Sequence, residues 1–114
     1  MQLSKKKCLP CEGGIPPLNE AEEKQYITEV LGWKLKTETV HRIEKEYKFK
    51  NFVKAIEFVN SAAEIAESEG HHPHINILYN RVIIEIYTHA VLGLTENDFI
   101  LAAKIDEIKL TDLL

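Results

Sequence analysis

Three histidines and one aspartate are the residues of this sequence whose types and spacing suit proton transfer. His71 and His72 directly follow Gly70. His89 lies on a later strand-like run, and Asp98 lies in the first turn of the helix predicted after it. Histidine titrates near neutral pH, so it can deliver or accept a proton under physiological conditions. Because these side chains come from a loop, a strand end and a helix start, they can converge, and they indicate a candidate acid–base pocket.

Two other interpretations fit the same side chains. Three histidines can bind zinc and leave a fourth coordination position open, although the neighbouring His71 and His72 would have to point in opposite directions to share a metal. Histidines are also often ordinary packed or solvated residues, which is the interpretation we give to His41 and His74. The residues alone leave the acid–base pocket, the metal site and the structural role open.

Capping signals predict the helices that must position these side chains. Asn19 begins a capping-box pattern for a first helix that ends at Gly32. Asn51 is the predicted N-cap of the longest helix, which reaches about Glu69. Gly70 suits the left-handed conformation that ends such a helix, so the two histidines after it are expected at a fixed corner.

Alternating apolar and polar residues predict four strands. Residues 33–40 and 42–49 form a first antiparallel pair, and a hairpin turning at residues 79–81 returns along residues 82–88. Thr95 is predicted to cap a last helix. The resulting order is α-β-β-α-β-β-α, which is typical of an α+β fold with a four-stranded antiparallel sheet and three helices packed on one face.

Apolar stripes predict which helix residues are buried. In the first helix we expect one apolar face, and in the long helix we expect two adjacent stripes to widen the buried surface, with small alanines allowing close approach to the sheet. The face of the first helix consists of Tyr26, Ile27, Val30 and Leu31, and the stripes of the long helix are Phe52, Ile56, Val59, Ala63 and Ala66, and Ala55, Phe58, Ala62 and Ile65.

Length, composition and charge indicate a globular protein and argue against two classes of partner. The chain has 114 residues, a hydrophobic fraction of 45% and a net charge of −4, which is compatible with one domain and one core. An acidic chain lacks the positive surface of a general nucleic-acid binder. No apolar run approaches the ~20 residues that cross a bilayer, and no secretory signal is recognisable. We therefore expect a cytoplasmic protein that binds neither nucleic acid nor membrane.

Residues 1–17 are predicted to form an extended N-terminal arm before a single domain at residues 18–114, because glycine and proline are dense in the arm. The arm carries Cys8 and Cys11 with C-x-x-C spacing. A structural zinc site needs about four ligands, and no second such pair follows. We expect a structural or inert pair, with a zinc, inter-subunit or redox role as alternatives.

The segment from Glu67 to Asp98 resembles the signature of the pterin-4a-carbinolamine dehydratase family. The matching positions, separated by three, five, nine and eight residues, are Glu67, His71-His72-Pro73, Tyr79, His89 and Asp98. Thr88-His89 and residues 93–98 resemble the strand-to-helix junction of that family. The resemblance extends over about residues 18–108 and includes the α-β-β-α-β-β-α order.

The resemblance implies a cofactor-free dehydration that requires no metal. The implied substrate is a 4a-hydroxytetrahydropterin, the product of aromatic amino-acid hydroxylases, and the implied products are quinonoid dihydropterin and water, as in tetrahydrobiopterin recycling. By the pattern of the family, His71 and His89 are implied as the acid–base pair and His72 as the residue that orients the pterin.

The resemblance also implies five substrate-binding residues. Asp98 is implied as a pocket carboxylate, Glu67 as a hydrogen-bond partner of one histidine, and Pro73 and Thr88 as part of the lining. Many members have an aromatic residue where this chain has Ile75. An isoleucine offers an apolar wall without the stacking, which contributes about 1 kcal/mol.

The resemblance implies that the protein assembles with itself, as a homodimer or homotetramer, and that an aromatic amino-acid hydroxylase is a partner. An open four-stranded sheet also leaves edges that favour pairing. The alternative to an enzyme is a non-catalytic protein-binding module, because some members of the family serve as dimerisation partners of a transcription factor.

Overall fold

Three helices and four strands make up the main part of the computed structural model, which describes residues 2–9 and 16–109. The elements are a short 3₁₀ helix at Leu3–Lys5, α1 at Glu20–Ile27, β1 at Lys34–Lys36, β2 at Arg42–Lys48, α2 at Phe52–Glu69, β3 at His74–Leu78, β4 at Arg81–Ile86 and α3 at Glu96–Asp106. After the 3₁₀ helix their order is α-β-β-α-β-β-α, which confirms the predicted order and the α+β class.

The four strands form one antiparallel sheet in the order β1-β2-β4-β3. Ile43 of β2 lies opposite Ile86 of β4, and Ile75 of β3 lies opposite Ile84 of β4, so these isoleucines share one face of the sheet. On that face Ile43, Ile84 and Ile86 are completely buried. The other face carries Glu85 and is partly exposed, so the sheet has one core face and one face toward solvent.

The helices pack on the core face of the sheet. Phe58 of α2 packs on Tyr47 of β2, with the ring centroids 4.5 Å apart. Asp106 at the end of α3 accepts a hydrogen bond from the Tyr47 hydroxyl. Tyr26 of α1 stacks on Phe99 of α3 with the centroids 5.1 Å apart. The predicted arrangement, with helices on one face of an antiparallel sheet, is confirmed.

Neither of the two predicted stripes of α2 is fully buried, so the expectation that both are buried is only partly correct. The stripe of Ala55, Phe58 and Ala62 is buried except for the partly buried Ile65, and in the other stripe only Ala66 is buried. Phe52 of the other stripe is 48% exposed, and Ala63 is exposed as well. Helical periodicity shows which residues share a face, but the packing partner decides which face is covered.

The first helix and the first strand are shorter than predicted. The capping box at Asn19 is present, but α1 ends at Ile27, and turns lead from there to Gly32. Leu31, expected on the apolar face of this helix, is 83% exposed because it lies in these turns. β1 has three residues instead of eight, since the chain bends before Thr39, whose φ is +60°.

The first described segment, residues 2–9, packs against the domain. Leu3 in the 3₁₀ helix is 3% exposed and belongs to the hydrophobic core. Cys8 is half-buried, whereas Cys11 and the rest of residues 10–15 lie outside the described residues. The boundary at residue 17 stays a prediction. Among the helices of residues 2–9 and 16–109, none combines the length and apolar character needed to cross a membrane.

Candidate active site

The corner between α2 and β3 fixes the backbone from which His71 and His72 project. Gly70 has φ +65° and ψ +27°, a left-handed conformation that glycine adopts without a Cβ penalty. Its amide donates to the carbonyl of Glu67 at 3.2 Å, and the His71 amide donates to the carbonyl of Ala66 at 3.1 Å. These two bonds are the Schellman pattern that closes a helix C-terminus. His71 therefore leaves α2 in a defined direction, as the sequence predicted.

Asp98 in the first turn of α3 is completely buried and hydrogen-bonded at both oxygens. Its Oδ1 lies 2.6 Å from Nε2 of His71. Its Oδ2 accepts from the Thr88 hydroxyl at 2.9 Å and from the Thr95 amide at 2.8 Å. The Thr88 and Thr95 hydroxyls lie 2.8 Å apart. Because Thr88 gives its hydrogen to Asp98, Thr95 is the donor in that pair.

This network determines which nitrogen of His71 carries the hydrogen. The carboxylate form of Asp98 accepts at both oxygens, and its place in the first turn of a helix favours the negative charge. We therefore assign a hydrogen to His71 Nε2, which donates to Asp98. Nδ1 is then the nitrogen that can accept a proton, and the buried carboxylate stabilises the imidazolium that results.

A cleft of about 240 Å³ brings together residues from the two loops. Its lining consists of Gly70, His71, His72, Thr88, His89 and Ala90. The volume is slightly below the range typical of small-molecule sites, which begins near about 300 Å³. Four of the residues predicted from the sequence thus share one cleft, and Asp98 contacts two of them, His71 and Thr88, from the buried side.

His89 lies in the turn after β4 and is exposed, with aromatic neighbours beside it. Its ring stacks on Tyr87 with the centroids 4.4 Å apart and meets the ring of His74 edge-on at 5.2 Å. Tyr87 and His74 also contact each other at 5.4 Å. These contacts restrict the orientation of the His89 ring on the outer face of the sheet.

Besides Asp98, three predicted site residues do not line the cleft. Glu67 is exposed, and its Oε1 lies 3.5 Å from Nε2 of His72. Pro73 is partly buried. Ile75 shares the core face of the sheet with Ile84 and packs against the core. These residues adjoin the histidines along the chain, and any effect they have on a ligand in this cleft would be indirect.

Sequence reasoning missed three residues around the cleft. For Tyr87 the two-residue spacing to His89 was a usable signal, since residues two apart on a strand lie on the same face. His74 was interpreted as an ordinary residue, and only the pairing of β3 with β4 brings its ring to His89. Thr95 was predicted as a helix cap, without its hydroxyl contact to Thr88.

A second cleft, of about 310 Å³, lies beside the 3₁₀ helix and the ends of α2 and α3. It is larger, but no histidine lines it, and two of its charged residues, Glu69 and Lys104, pair with each other at 3.2 Å. The smaller cleft therefore has the side chains suited to proton transfer. Among residues 2–9 and 16–109, no group of three or more His, Cys, Asp or Glu side chains could hold a metal ion.

Sequence comparison relates most of the chain to one family. The family model described as Pterin 4 alpha carbinolamine dehydratase matches residues 16–108. A protein from Rickettsia canadensis (strain McKiel), which carries the provisional name pterin-4-alpha-carbinolamine dehydratase, is 53% identical over 105 residues. That alignment covers 91% of this chain and 94% of the relative.

Two solved structures are similar to this fold. The crystal structure of a transcriptional coactivator/pterin dehydratase from Brucella melitensis superposes with a TM-score of 0.74 and 34% identity, covering 79% of this chain and 95% of that one. A pterin dehydratase-like protein identified as a RuBisCO assembly factor in the alpha-carboxysome has a TM-score of 0.56 and 25% identity, covering 66% of this chain and 86% of that one. On the family match and the identity to its relatives, the chain belongs to the pterin-4-alpha-carbinolamine dehydratase family.

Proposed function

We propose that the protein is a hydro-lyase that removes water from 4a-hydroxytetrahydrobiopterin, or a related 4a-hydroxytetrahydropterin, without a cofactor. The observation that carries the proposal is the contact of 2.6 Å between His71 and the buried Asp98, next to a cleft that His89 also lines. A histidine paired with a buried carboxylate suits proton exchange. Family membership supports the substrate class, and the substrate would come from an aromatic amino-acid hydroxylase.

The proposed reaction needs one proton delivered and one proton removed. The bond between C4a and its hydroxyl oxygen breaks, the adjacent ring nitrogen loses its hydrogen, and a carbon–nitrogen double bond forms between them. The departing oxygen leaves as water after it receives a proton from an imidazolium, while a neutral imidazole takes the proton from nitrogen. We assign these two roles to His71 and His89 as a pair, because both line the cleft and come from separate loops.

The other predicted residues have supporting roles in this proposal. His72 lines the cleft and would orient the pterin ring, with Glu67 restricting the imidazole from 3.5 Å away. Thr88 contributes to the wall and holds Asp98 through its hydroxyl. Pro73 and Ile75 do not line the cleft, so we expect them to fix the backbone where the chain enters β3 and not to contact the pterin.

The experiment that tests this proposal is a dehydratase assay on freshly generated 4a-carbinolamine. We expect His71→Ala and His89→Ala each to lower kcat by about 10²-fold or more, as is typical when a general acid or base is removed. His41→Asn is the matched control, because His41 contacts Glu23 through Nδ1 and lines a different cleft. Wild-type rates in both alanine variants would refute the acid–base assignment, and a wild-type protein without turnover would refute the activity.

A second candidate function is protein binding without catalysis. The observation that favours it is the exposure of apolar residues on two adjoining segments, Phe52 and Val53 at the start of α2 and Leu78 and Tyr79 at the end of β3 and just after it. The amide of Phe49 donates to the carbonyl of Asn80 at 2.8 Å and joins the two segments. Two related structures also carry coactivator or assembly-factor names. This function predicts a stoichiometric complex with a partner protein together with no dehydratase turnover.

We also propose that the protein forms a homodimer or homotetramer. β3 is an edge strand, and edge strands present unpaired backbone groups that favour association. Sedimentation velocity would measure the assembly state. Replacement of the edge residue Ile77, which is 37% exposed, by lysine is expected to shift an assembly at this edge toward monomer. An unchanged sedimentation coefficient would exclude that edge.

A further inference from the structure

The N-terminal segment forms hydrogen bonds with the end of α2 and the start of α3. The amide of Cys8 donates to Oε1 of Glu69 at 2.8 Å. The amide of Leu9 donates to Oδ1 of Asn97 at 2.9 Å, and the carbonyl of Leu9 accepts from Nδ2 of Asn97 at 2.6 Å. The side chain of Asn97 thus pairs with the backbone of Leu9 as a second strand would.

The two helix side chains in these contacts are almost completely shielded from solvent. The Glu69 side chain is 7% exposed and pairs with Lys104. Burial alone would raise the pKa of Glu69, but hydrogen bonds from the Cys8 amide and Lys104 hold that pKa below its ordinary value. Asn97 is 7% exposed, and the Cys8 thiol donates to its carbonyl at 3.5 Å. Hydrogen bonds in such places are costly to leave unmade.

The two contact points adjoin the proposed acid–base machinery along the chain. Glu69 directly precedes Gly70, which begins the corner that carries His71. Asn97 directly precedes Asp98. The 2.6 Å contact between His71 and Asp98 joins α2 to α3, so its length depends on the relative position of these two helix ends.

We infer that Cys8 and Leu9 form a strap that links Glu69 to Asn97 and so sets the distance between His71 and Asp98. Glu69 and Asn97 are positioning residues in this inference, because they act through their neighbours and do not line the cleft. The catalytic consequence rests on the proposed dehydratase function. The effect of the strap on the distance between His71 and Asp98 does not depend on that function.

A second set of contacts restrains the segment that leads into α3. The Leu18 amide donates to the carbonyl of Leu94 at 2.7 Å. A Cβ atom on Gly93 would lie 3.0 Å from Cβ of Pro17, so a glycine at that position allows the chain to pass closely. Residues before and after 10–15 therefore both contact the segment that leads into Asp98. The strap contacts Asn97 in this segment, and Pro17 and Leu18 contact it at Gly93 and Leu94.

The test compares Asn97→Ala and Glu69→Ala with two controls. Lys6→Ala removes an exposed ion pair to Glu96 at 2.9 Å in the same segment and leaves the strap bonds in place. Glu69→Gln keeps an acceptor for the Cys8 amide. The readouts are the ¹⁵N shifts of the His71 ring in the substrate-free protein, kcat and KM for dehydration, and thermal unfolding to verify that each variant is folded.

We expect both alanine variants to shift the His71 ring signals and to lower kcat about tenfold at nearly constant KM. A misplacement of about 1 Å can cost about a hundredfold, and we expect loss of the strap to move His71 relative to Asp98 by less than that. Both controls should match the wild type. Folded alanine variants with unchanged His71 signals and kcat would overturn the strap. If the ring signals shift but the wild-type protein has no turnover, the strap stands and the proposed function fails.

Discussion

Replacement of Asp98 by asparagine is the sharpest perturbation of the site, because it conserves shape and removes the charge. Oδ2 of Asp98 accepts from the Thr88 hydroxyl and from the Thr95 amide, so the single oxygen of the new carboxamide is expected to occupy that place. The NH₂ group then faces Nε2 of His71, which has to accept instead of donate. We expect the tautomer of His71 to switch, with the ring hydrogen on Nδ1.

The expected loss follows from the charge-assisted hydrogen bond that is lost, because the reversed bond from the amide cannot stabilise a protonated His71 ring. A hydrogen bond to a charged group contributes about 1.5–3 kcal/mol. Since about 1.36 kcal/mol corresponds to a tenfold change in rate, kcat should fall about 10- to 150-fold from this term alone. The wrong tautomer holds its hydrogen on Nδ1, the nitrogen through which His71 would exchange a proton as either acid or base, so the loss should lie at the upper end of that range or beyond.

The assay for Asp98→Asn combines steady-state dehydration with the ring ¹⁵N spectrum of His71. Asp106→Asn is the matched control, because Asp106 ends the same helix and accepts hydrogen bonds from Trp33 at 2.9 Å and from Tyr47. We expect that control to lower stability without changing the His71 tautomer or kcat. A folded Asp98→Asn variant with wild-type kcat and a hydrogen still on Nε2 would refute the assignment.

Three further predictions concern the fold and the strap. Phe58→Ala should cost about 3–5 kcal/mol in the free energy of unfolding in urea, because Phe58 is completely buried, and Phe52→Ala, at a half-exposed position, should cost much less. Gly70→Ala should lower the free energy of unfolding by about 1 kcal/mol through its positive φ alone, since no atom beyond its chain neighbours lies within 4 Å of the added Cβ. Gly70→Asn should lower it less, and equal unfolding midpoints for the wild type and both variants would contradict this. Burial raises the pKa of Cys8 to about 12, so in a Cys11→Ser background iodoacetamide at pH 8 should alkylate Cys8 far more slowly in the folded protein than in urea, and equal rates would show that the strap does not protect the thiol.

Local signals in the sequence were sufficient for the elements and for the corner at the site. Asn19 and Asn51 begin helices, and Gly70 ends one, because capping bonds involve residues only a few positions apart. Strand alternation likewise places Ile84 and Ile86 on the same face of β4, and the structure buries that face. The histidines and Asp98 could be identified as candidates from their types, and the signature spacing supported them.

Packing decided what local signals leave open. Two apolar stripes of α2 fit the helical period equally well, and only packing against the sheet decided that the buried face consists of Ala55, Phe58, Ala62 and Ala66. The outer-face contacts among His74, Tyr87 and His89 depend on the register between β3 and β4. Such contacts join separate strands, so no single strand contains the information for them.

The contact between His71 and Asp98 was also decided by packing. His71 and Asp98 are 27 residues apart in the chain, and neither the helix cap before one nor the helix start at the other fixes their separation. The sequence by itself determined that a histidine leaves a rigid corner and that an aspartate begins a helix. Only the tertiary structure put Nε2 and Oδ1 in contact, because the free energy that holds α2 beside α3 comes from burial of side chains contributed by the whole domain.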